Sequence, residues 1–201
     1  MQGRDRASWN ELAARRLDPG RPTGLLLAGM GGPDSAAAVE PFLRNLFADP
    51  AMIPLPAPIP WPLGAFLVTR RSGRVRERYR EMGLGGATPQ LAWTLRQGQA
   101  LEDRLRARGL VATCAPAMRY WHPFAAEAVR TLREKGAEQF LILPTYPQYA
   151  MPTTGSSLQD ACAALAAEAP GAPFTLLPDW HLLPGYLSAL AEHAAAQLLD
   201  W

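Results

Sequence analysis

The segment from Phe140 to Ser157, FLILPTYPQYAMPTTGSS, joins an apolar run of strand length to side chains that could bind a ligand. Pro144 and Pro147 end the run, and an alanine-rich helical stretch follows the segment. Open α/β sheets bind their ligands where a buried strand ends in such a loop before a helix. The same hydroxyl groups could instead cap the helix, so spacing alone leaves both interpretations open. The side chains concerned are Tyr146, Tyr149, Thr153, Thr154, Ser156 and Ser157.

The motifs of several common enzyme classes are missing from the sequence. The glycines from Gly29 to Gly32 follow an apolar run, but Pro33 interrupts the G-x-G-x-x-G pattern of dinucleotide binding, and there is no G-x-x-x-x-G-K-[ST], G-x-S-x-G, C-x-x-C or H-E-x-x-H. Lys135, the only lysine, lies at a predicted helix end, which argues against an amine nucleophile. No histidine has a partner at ligand spacing, so we expect structural or surface roles for all three. They are His122, His181 and His193.

Length, charge and cysteine content indicate one soluble domain. A chain of 201 residues can bury roughly 70% of its unfolded surface, enough for a single core. The net charge of +2 is scattered, so no nucleic-acid-binding surface is indicated. Cys114 and Cys162 lie in apolar runs, where we expect core packing rather than a disulfide or a metal site. Because no segment has signal-peptide character or spanning length, we expect a cytoplasmic protein that at most contacts a membrane surface.

Four apolar runs of strand length alternate with helical patterns from Gly24 onward. This alternation predicts an α/β fold, a four-stranded parallel sheet with helices on both faces in a flavodoxin-like or Rossmann-like layer. The predicted strands are Gly24–Ala28, Leu110–Ala117, Gln139–Leu143 and Phe174–Leu177. The predicted helices that follow the first strand are one around Val39–Phe47, Leu63–Met82, Thr88–Gly109, Pro123–Lys135, Thr154–Ala167 and Pro184–Leu199.

Two segments differ in composition from this alternation. Residues 1–22 are polar and end in prolines and a glycine, so we expect a loosely structured or briefly helical lead-in to a domain covering 23–201. Between Pro50 and Pro62 the prolines are too frequent for a regular helix or a central strand. The apolar residues among them predict a hydrophobic lip, assigned to 50–68. It would pack on its own domain, admit an apolar ligand or rest on a bilayer surface.

Six stretches of the chain resemble ferrochelatase, in the same order and at nearly the same spacings. Ferrochelatases are two similar α/β domains that hold a porphyrin in the cleft between them and insert ferrous iron into it, in the last step of haem synthesis. The resemblance extends from about Gly24 to Trp201 and corresponds to the first half of the family. The stretches are GLLLAGMGGPDS (24–35), VEPFLRNLFADP (39–50), Arg70 and Arg71 with Tyr79, the glycine-rich break before Thr88-Pro89, AMRYWHP (117–123) and LPTYPQYAMPTTGSS (143–157).

The resemblance implies which residues contact the porphyrin. Met30 would touch the macrocycle at the end of the first strand, and a methionine there favours protoporphyrin over coproporphyrin. Arg70 or Arg71 would bind a propionate, because a guanidinium offers a rigid bidentate fork to a carboxylate. Composition alone would make these arginines an ordinary solvated pair. The other implied porphyrin-binding residues are Tyr79, Thr88, Arg119, Tyr120, Tyr146, Thr153 and Thr154.

Three departures from the family pattern limit what this chain is expected to do. Ala150 and Pro152 stand where the family has hydroxyl side chains, and Met151 stands where some members have an iron–sulfur ligand cysteine. We therefore expect no iron–sulfur cluster and no prosthetic group, with ferrous iron and porphyrin as substrates. The proton-accepting histidine and its partner glutamate correspond to positions beyond Trp201. We therefore expect no catalytic or metal-binding residue among these 201, and no activity without a C-terminal half, which a separate gene could encode.

Two other functions are compatible with the pattern. A non-catalytic tetrapyrrole-binding protein would keep the wall of the pocket and lack the chemistry. A flavodoxin-like nucleotide binder is disfavoured, because its phosphate-binding loop is absent.

Overall fold

A parallel sheet forms the centre of the structure, a computed structural model that describes residues 6–52, 60–81 and 87–199. Its strands are β1 (Thr23–Gly29), β2 (Ala112–Met118), β3 (Gln139–Pro144) and β4 (Phe174–Leu176). They are ordered β2-β1-β3-β4, and every neighbouring pair is parallel. The predicted α/β fold with four parallel strands is confirmed, and each strand begins and ends within two residues of its predicted bounds.

The described residues include seven α-helices besides the sheet. They are α1 (Arg6–Ala13), α2 (Val39–Ala48), α3 (Pro60–Glu81), α4 (Gln90–Arg106), α5 (Ala125–Glu134), α6 (Ser156–Glu168) and α7 (Pro184–Leu199). A π-helical turn, Met151–Gly155, leads directly into α6. Because α3 begins at Pro60, the last part of the predicted lip is helical, and residues 53–59 of the lip lie outside the described part of the chain. The start of α4, predicted with Thr88 as the cap and Pro89 as the first helical residue, lies one residue later, because Pro89 is the N-cap and the helix begins at Gln90.

Helices cover both faces of the sheet. Successive residues of a strand point to opposite faces, so the two sides of β1 can be followed separately. Leu26 and Ala28 belong to the main core, together with residues of α5 and α6 such as Leu132 and Leu158. On the other face α4 lies very close, because a Cβ added at Gly98 would be 3.1 Å from Leu27 Cδ1 and from the Cβ of Cys114. The central strand is therefore buried on both sides, which explains its continuous apolar run.

The N-terminal segment is part of this core. Trp9 of α1 is 1% exposed and Leu12 is 6% exposed, both within the main core cluster. Helix α1 lies against β4, where the hydroxyl of Thr175 donates a hydrogen bond to the carbonyl of Leu12 at 3.0 Å. Of the two alternatives predicted for this segment, the briefly helical one describes α1, and the burial of Trp9 and Leu12 adds that this helix belongs to the core.

Gln139 at the start of β3 forms hydrogen bonds with the segment between α1 and β1. Its side chain is 1% exposed, and its Nε2 donates to the carbonyl of Asp18 at 2.6 Å and to Thr23 Oγ1 at 2.8 Å. Its Oε1 accepts a hydrogen bond from the backbone N–H of Asp18 at 3.0 Å. A buried amide with both ends satisfied in this way fixes the path of the chain into β1.

Candidate functional site

The carboxyl ends of β1, β2 and β3 meet at one edge of the sheet. The chain passes from β1 to β2 on one side and then to β3 on the other, so the strand order reverses beside β1. Open α/β sheets bind ligands in the crevice at such a reversal. Backbone hydrogen bonds hold the three strand ends together: Arg119 N–H donates to the Gly29 carbonyl at 2.8 Å, Tyr120 N–H to the Met30 carbonyl at 3.0 Å and Thr145 N–H to the Ala28 carbonyl at 2.8 Å.

The glycine loop after β1 packs tightly beneath Thr88. Gly31 has a φ of +76°, a conformation that favours glycine. At Gly32 an added Cβ would lie 2.2 Å from Thr88 Oγ1, so the threonine side chain sits directly over this residue. The backbone N–H of Thr88 donates to the Pro33 carbonyl at 2.8 Å. Thr88 therefore fixes the loop at the sheet edge. The resemblance implied only a porphyrin contact for this residue.

Substituting Gly32 with alanine is expected to destabilise the protein by about 1–3 kcal/mol, the usual cost of overpacking. The new Cβ would lie 2.8 Å from Thr88 Cγ2 and 3.0 Å from Thr88 Cβ, as well as 2.2 Å from Oγ1. Urea unfolding followed by circular dichroism measures the loss. The matched control is Gly73→Ala on α3, where nothing lies within 4 Å of the added Cβ and alanine favours the helix. Equal urea unfolding midpoints for the two variants would show that the glycine loop can shift to accommodate the added Cβ without loss of stability.

Asp49, just after α2, is the centre of a buried polar cluster beside this edge. Its side chain is 5% exposed, and its Oδ2 lies 3.0 Å from the guanidinium Nη2 of Arg119. Oδ2 also accepts hydrogen bonds from the hydroxyl of Tyr120 at 2.7 Å and from the hydroxyl of Ser156. Oδ1 accepts a hydrogen bond from the backbone N–H of Ala51 at 2.8 Å. One carboxylate thus joins the end of α2, the loop after β2 and the start of α6.

The ionisation of the cluster follows from these contacts. Burial alone would raise the pKa of Asp49, but the hydrogen bonds from Ser156, Ala51 and Tyr120 and the charge of Arg119 hold it below its ordinary value. Burial, followed by the hydrogen bond to Asp49, raises the pKa of Tyr120, although Ser156 and Arg119 oppose it. The cluster therefore pairs an ionised carboxylate with neutral hydroxyl groups that donate to it.

Arg119 has two acidic neighbours. Besides Asp49 it lies 3.7 Å from Asp160 of α6, and its Nε donates to Ser156 Oγ at 2.8 Å. Burial, with a smaller contribution from the charge of Asp49, raises the pKa of Asp160 against the opposing charge of Arg119. The guanidinium is 27% exposed and borders a cavity of about 460 Å³. Its charge is already compensated within the protein, so it is better suited to shaping the wall of a site than to binding a second carboxylate. Other residues lining the cavity include Asn45, Pro50, Phe124, Ala125 and Ala163.

Two of the implied ligand contacts have hydrogen-bond partners within the chain. Tyr120 is 2% exposed and its hydroxyl is bound to Asp49. Thr154 is fully buried, and its hydroxyl donates to the Gln148 carbonyl at 3.1 Å. The implied contact of Thr154 with porphyrin stays a prediction. Helix capping is wrong: among the described residues no side chain caps the start of α6, and Ser156 binds Asp49.

Of the remaining implied contacts, Met30, Tyr146 and Thr153 lie in the segments that follow β1 and β3, and the others lie on α3. Met30 is half-buried and packs, with Tyr79 of α3, against an apolar cluster formed by α2, α3 and Tyr120. Tyr146, which follows β3, is half-buried, and burial raises its pKa to about 12, with a small opposing effect from Ser157. The half-buried Thr153 donates to the Ala150 carbonyl at 3.4 Å. Arg70 is exposed on α3, and the side chain of Arg71 lies outside the described part of the structure.

The described residues include neither a candidate metal-binding group of side chains nor a helix suited to span a membrane. No group of three or more histidine, cysteine, aspartate or glutamate side chains there could hold a metal ion. The described helices include none that is both long and apolar enough to cross a bilayer. His122 lies at the surface, 2.9 Å from Glu127, and both cysteines are half-buried and form no disulfide within the described residues. Burial raises the pKa of the Cys114 thiol to about 12, as suits a core residue.

Comparison with known proteins gives one consistent result. The family model described as Ferrochelatase matches residues 22–200. The ferrochelatase of Trichodesmium erythraeum is 40% identical over 180 residues, which cover 87% of this chain and 46% of that protein. The ferrochelatase of Gloeobacter violaceus is 41% identical over 172 residues, or 84% of this chain and 52% of that protein. The chain therefore spans about half the length of the curated relatives that it matches.

Proposed function

Because the chain belongs to the ferrochelatase family, we propose that it supplies the N-terminal half of a porphyrin cleft in which ferrous iron is inserted into protoporphyrin for haem synthesis. The observation that supports this most directly is the sheet edge, where Met30, Arg119 and Tyr146 follow three adjacent strands. In this proposal the protein is part of a cytoplasmic lyase, in contact at most with a membrane surface. Iron and porphyrin are substrates, and no iron–sulfur cluster is involved.

Metallation needs a bent macrocycle, and this half is suited to supply the bending surface. Shape complementarity to a distorted porphyrin uses binding energy on the way to the transition state. Such a surface must be rigid, and the contacts of Asp49 with Arg119, Tyr120 and Ser156 fix the loop after β2. The half-buried side chains of Met30 and Tyr146 would present apolar and aromatic surface to the ring.

Propionate binding is assigned to α3. Arg70 is exposed on this helix two residues after Val68, about 200° around the helix axis from it, whereas Val68 and Tyr79 pack in the apolar cluster with α2. A helix held by its apolar face can project Arg70 or Arg71 toward a carboxylate at the rim of an apolar site. Arg119 is the weaker candidate for this role, since Asp49 already pairs with it.

The base that removes the pyrrole protons is not assigned to this half. A general base must come within hydrogen-bond reach of the proton that it takes. His122 is exposed and bound to Glu127, and His193 is exposed on α7. By its resemblance to the family, the cleft would obtain its base from a C-terminal half. We therefore expect these 201 residues to bind porphyrin without metallating it.

Titration of the 201-residue chain with protoporphyrin, followed by absorbance, is expected to show saturable binding. Arg70→Ala or Arg71→Ala should weaken binding about tenfold, the loss of one charge-assisted hydrogen bond. Arg74→Ala, which removes an exposed arginine of the same helix, is the matched control and should have no effect. With protoporphyrin dimethyl ester, which lacks the carboxylates, the loss in the Arg70 or Arg71 variant should disappear. Equal affinities for both porphyrins in all variants would refute propionate binding by α3.

An anaerobic assay with ferrous iron separates the remaining alternatives. We expect no insertion of ferrous iron into porphyrin by the chain alone. After addition of the C-terminal half of the Trichodesmium erythraeum relative, we expect turnover. Turnover by the chain alone would contradict the absence of a base. Porphyrin binding without metallation under any pairing would instead identify a non-catalytic tetrapyrrole-binding protein.

A further inference from the structure

The side chain of Met151 closes the π-helical turn that leads into α6. Its Sδ accepts a hydrogen bond from the hydroxyl of Tyr149 at 3.5 Å. A Cβ added at Gly155 would lie 2.6 Å from this Sδ and 3.7 Å from the Cε of Met151, so the side chain folds back across the turn onto the glycine. The sulfur therefore lies between a phenol hydroxyl and the backbone of Gly155.

Gly155 is needed for space and not for its backbone conformation. Its φ of −59° and ψ of −48° are helical values that any residue adopts. A carbon 2.6 Å from Sδ would be far inside van der Waals contact, so a side chain at this position would collide with the sulfur. The turn is thus fitted to a thioether at Met151, with no room for a further atom between the sulfur and Gly155.

A small oxidant can reach this sulfur. Met151 is half-buried, and both of its neighbours in the chain, Ala150 and Pro152, are exposed. Hydrogen peroxide oxidises a thioether when a sulfur lone pair attacks one peroxide oxygen: the S–O bond forms, the O–O bond breaks, and the second oxygen leaves as water with both hydrogens. The sulfur loses two electrons, and the peroxide gains them. The product, methionine sulfoxide, is polar and carries one oxygen more than the thioether.

The added oxygen would disturb contacts beyond the turn. Because Sδ already has a close neighbour on two sides, a sulfoxide displaces one of these neighbours or moves its own side chain out of the turn. The next residue along the chain, Ser156, depends on the same turn, since its backbone N–H donates to the Met151 carbonyl. The hydroxyl of Ser156 donates to Asp49 and accepts a hydrogen bond from Arg119 Nε at 2.8 Å.

We propose that Met151 is a reversible oxidation site, whose sulfoxide loosens the π-helical turn and thereby the Asp49 cluster beside the candidate site. The proposed substrate supplies a source of oxidant. Ferrous iron reduces dioxygen to hydrogen peroxide and becomes ferric, so a cleft that receives ferrous iron in air is exposed to this oxidant. The expected loss of porphyrin affinity rests on the proposed function, whereas the expected loss of stability does not.

The test treats the 201-residue chain with hydrogen peroxide and identifies the oxidised methionines by peptide mapping. We expect Met151 to be oxidised while Met118, which is fully buried in β2, is not. The urea unfolding midpoint should fall on oxidation and return after treatment with methionine sulfoxide reductases A and B, which repair sulfoxides but not oxidised cysteines. Because this repair involves no substitution, the result does not depend on how a variant folds.

Two variants assign the effect to one residue. Met151→Leu keeps the apolar volume without the sulfur, so its urea midpoint should fall much less on oxidation than that of the wild type. Met52→Leu is the matched control: it removes another half-buried methionine, which packs against the apolar cluster of α2 and α3, and should respond to peroxide like the wild type. The protoporphyrin affinity of the wild type should fall about tenfold on oxidation and recover after repair.

An unchanged urea midpoint in wild type oxidised at Met151 would overturn the proposal, because the turn would then accommodate the oxygen. Equal losses in oxidised wild type and oxidised Met151→Leu would overturn it in favour of another methionine. Absence of Met151 oxidation where Met30 and Met52 are fully converted would overturn it as well. A reversible, Met151-dependent loss of midpoint in a chain that binds no protoporphyrin even before oxidation would support the oxidation site and count against the porphyrin function.

Discussion

Replacing Asp49 with alanine is expected to destabilise the protein by about 3 kcal/mol, the lower end of the cost of breaking a buried charged pair. The substitution removes the acceptor of the Tyr120 and Ser156 hydroxyl groups and of the Ala51 N–H, all in a buried position. It also leaves Asp160 as the one remaining acidic neighbour of the Arg119 guanidinium among the described residues. The lower end applies because Arg119 is 27% exposed and solvent screens part of its charge. Urea unfolding measures the change.

A surface carboxylate of α2 provides the matched control for Asp49. Glu40 lies 2.8 Å from Arg44 and 3.3 Å from Arg76, but these groups are solvent-exposed, so Glu40→Ala should leave the unfolding midpoint essentially unchanged. Asp49→Asn keeps an acceptor oxygen and should lose less stability than Asp49→Ala. Similar midpoints for Asp49→Ala and Glu40→Ala would show that the cluster does not stabilise the fold.

The contribution of Asp49 should depend on pH with a defined sign. Its folded pKa is below its unfolded value, so its stabilisation is fully present above the unfolded pKa of about 4 and is lost as pH falls through the folded pKa. Asp160 has a raised pKa, so its destabilising effect when ionised is relieved as pH falls through that pKa, which is the opposite dependence. The difference in unfolding free energy between the wild type and Asp49→Asn should therefore be largest above about pH 4 and shrink below it.

Trp9→Ala should destabilise the protein by about 3–5 kcal/mol, as expected for emptying a fully buried aromatic position. Trp9 is 1% exposed in the main core, so the cavity would open between α1 and the sheet. Trp93→Ala on α4 is the control, because that ring is 57% exposed and the Arg96 guanidinium lies over it, 5.2 Å from its centroid. We expect a loss below about 1 kcal/mol there.

A milder substitution protects this test against a variant that fails to fold. Trp9→Phe keeps most of the apolar volume and should lie between the wild type and Trp9→Ala in urea midpoint. If removal of residues 1–13 left the urea unfolding curve unchanged, α1 would be dispensable, and the packing of Trp9 would contribute nothing to the free energy of unfolding.

Strands and most helices could be predicted because their signals are local. Leu25 to Ala28 forms a continuous apolar run, and such a run indicates a strand covered on both faces before any partner is known. Trp9 gave no such signal, since polar residues surround it and its burial depends on β4, more than 160 residues later. Propensity and periodicity cannot show a contact of that separation.

The Asp49 cluster could not be predicted for the same reason. Tyr120 and Ser156 lie 71 and 107 residues away from Asp49 along the chain, and no motif spacing links them. The sequence shows that Thr154 and Ser156 carry hydroxyl groups, but it does not show which groups these hydroxyls bind. Their hydrogen-bond partners depend on the π-helical turn, which buries Thr154 against the Gln148 carbonyl and directs Ser156 toward Asp49.

The central position of β1 has a consequence for biosynthesis. Its partners β2 and β3 lie far downstream, with Thr23 paired to Ala112 and Gln139. At translation rates of about 5–20 residues per second, the first partner strand would emerge roughly 4–18 seconds after β1. During that interval the apolar run from Leu25 to Ala28 has no strand to pair with, and unpaired apolar strands are prone to aggregate. The yield of soluble protein should therefore rise when translation is fast or when a chaperone covers the first 30 residues.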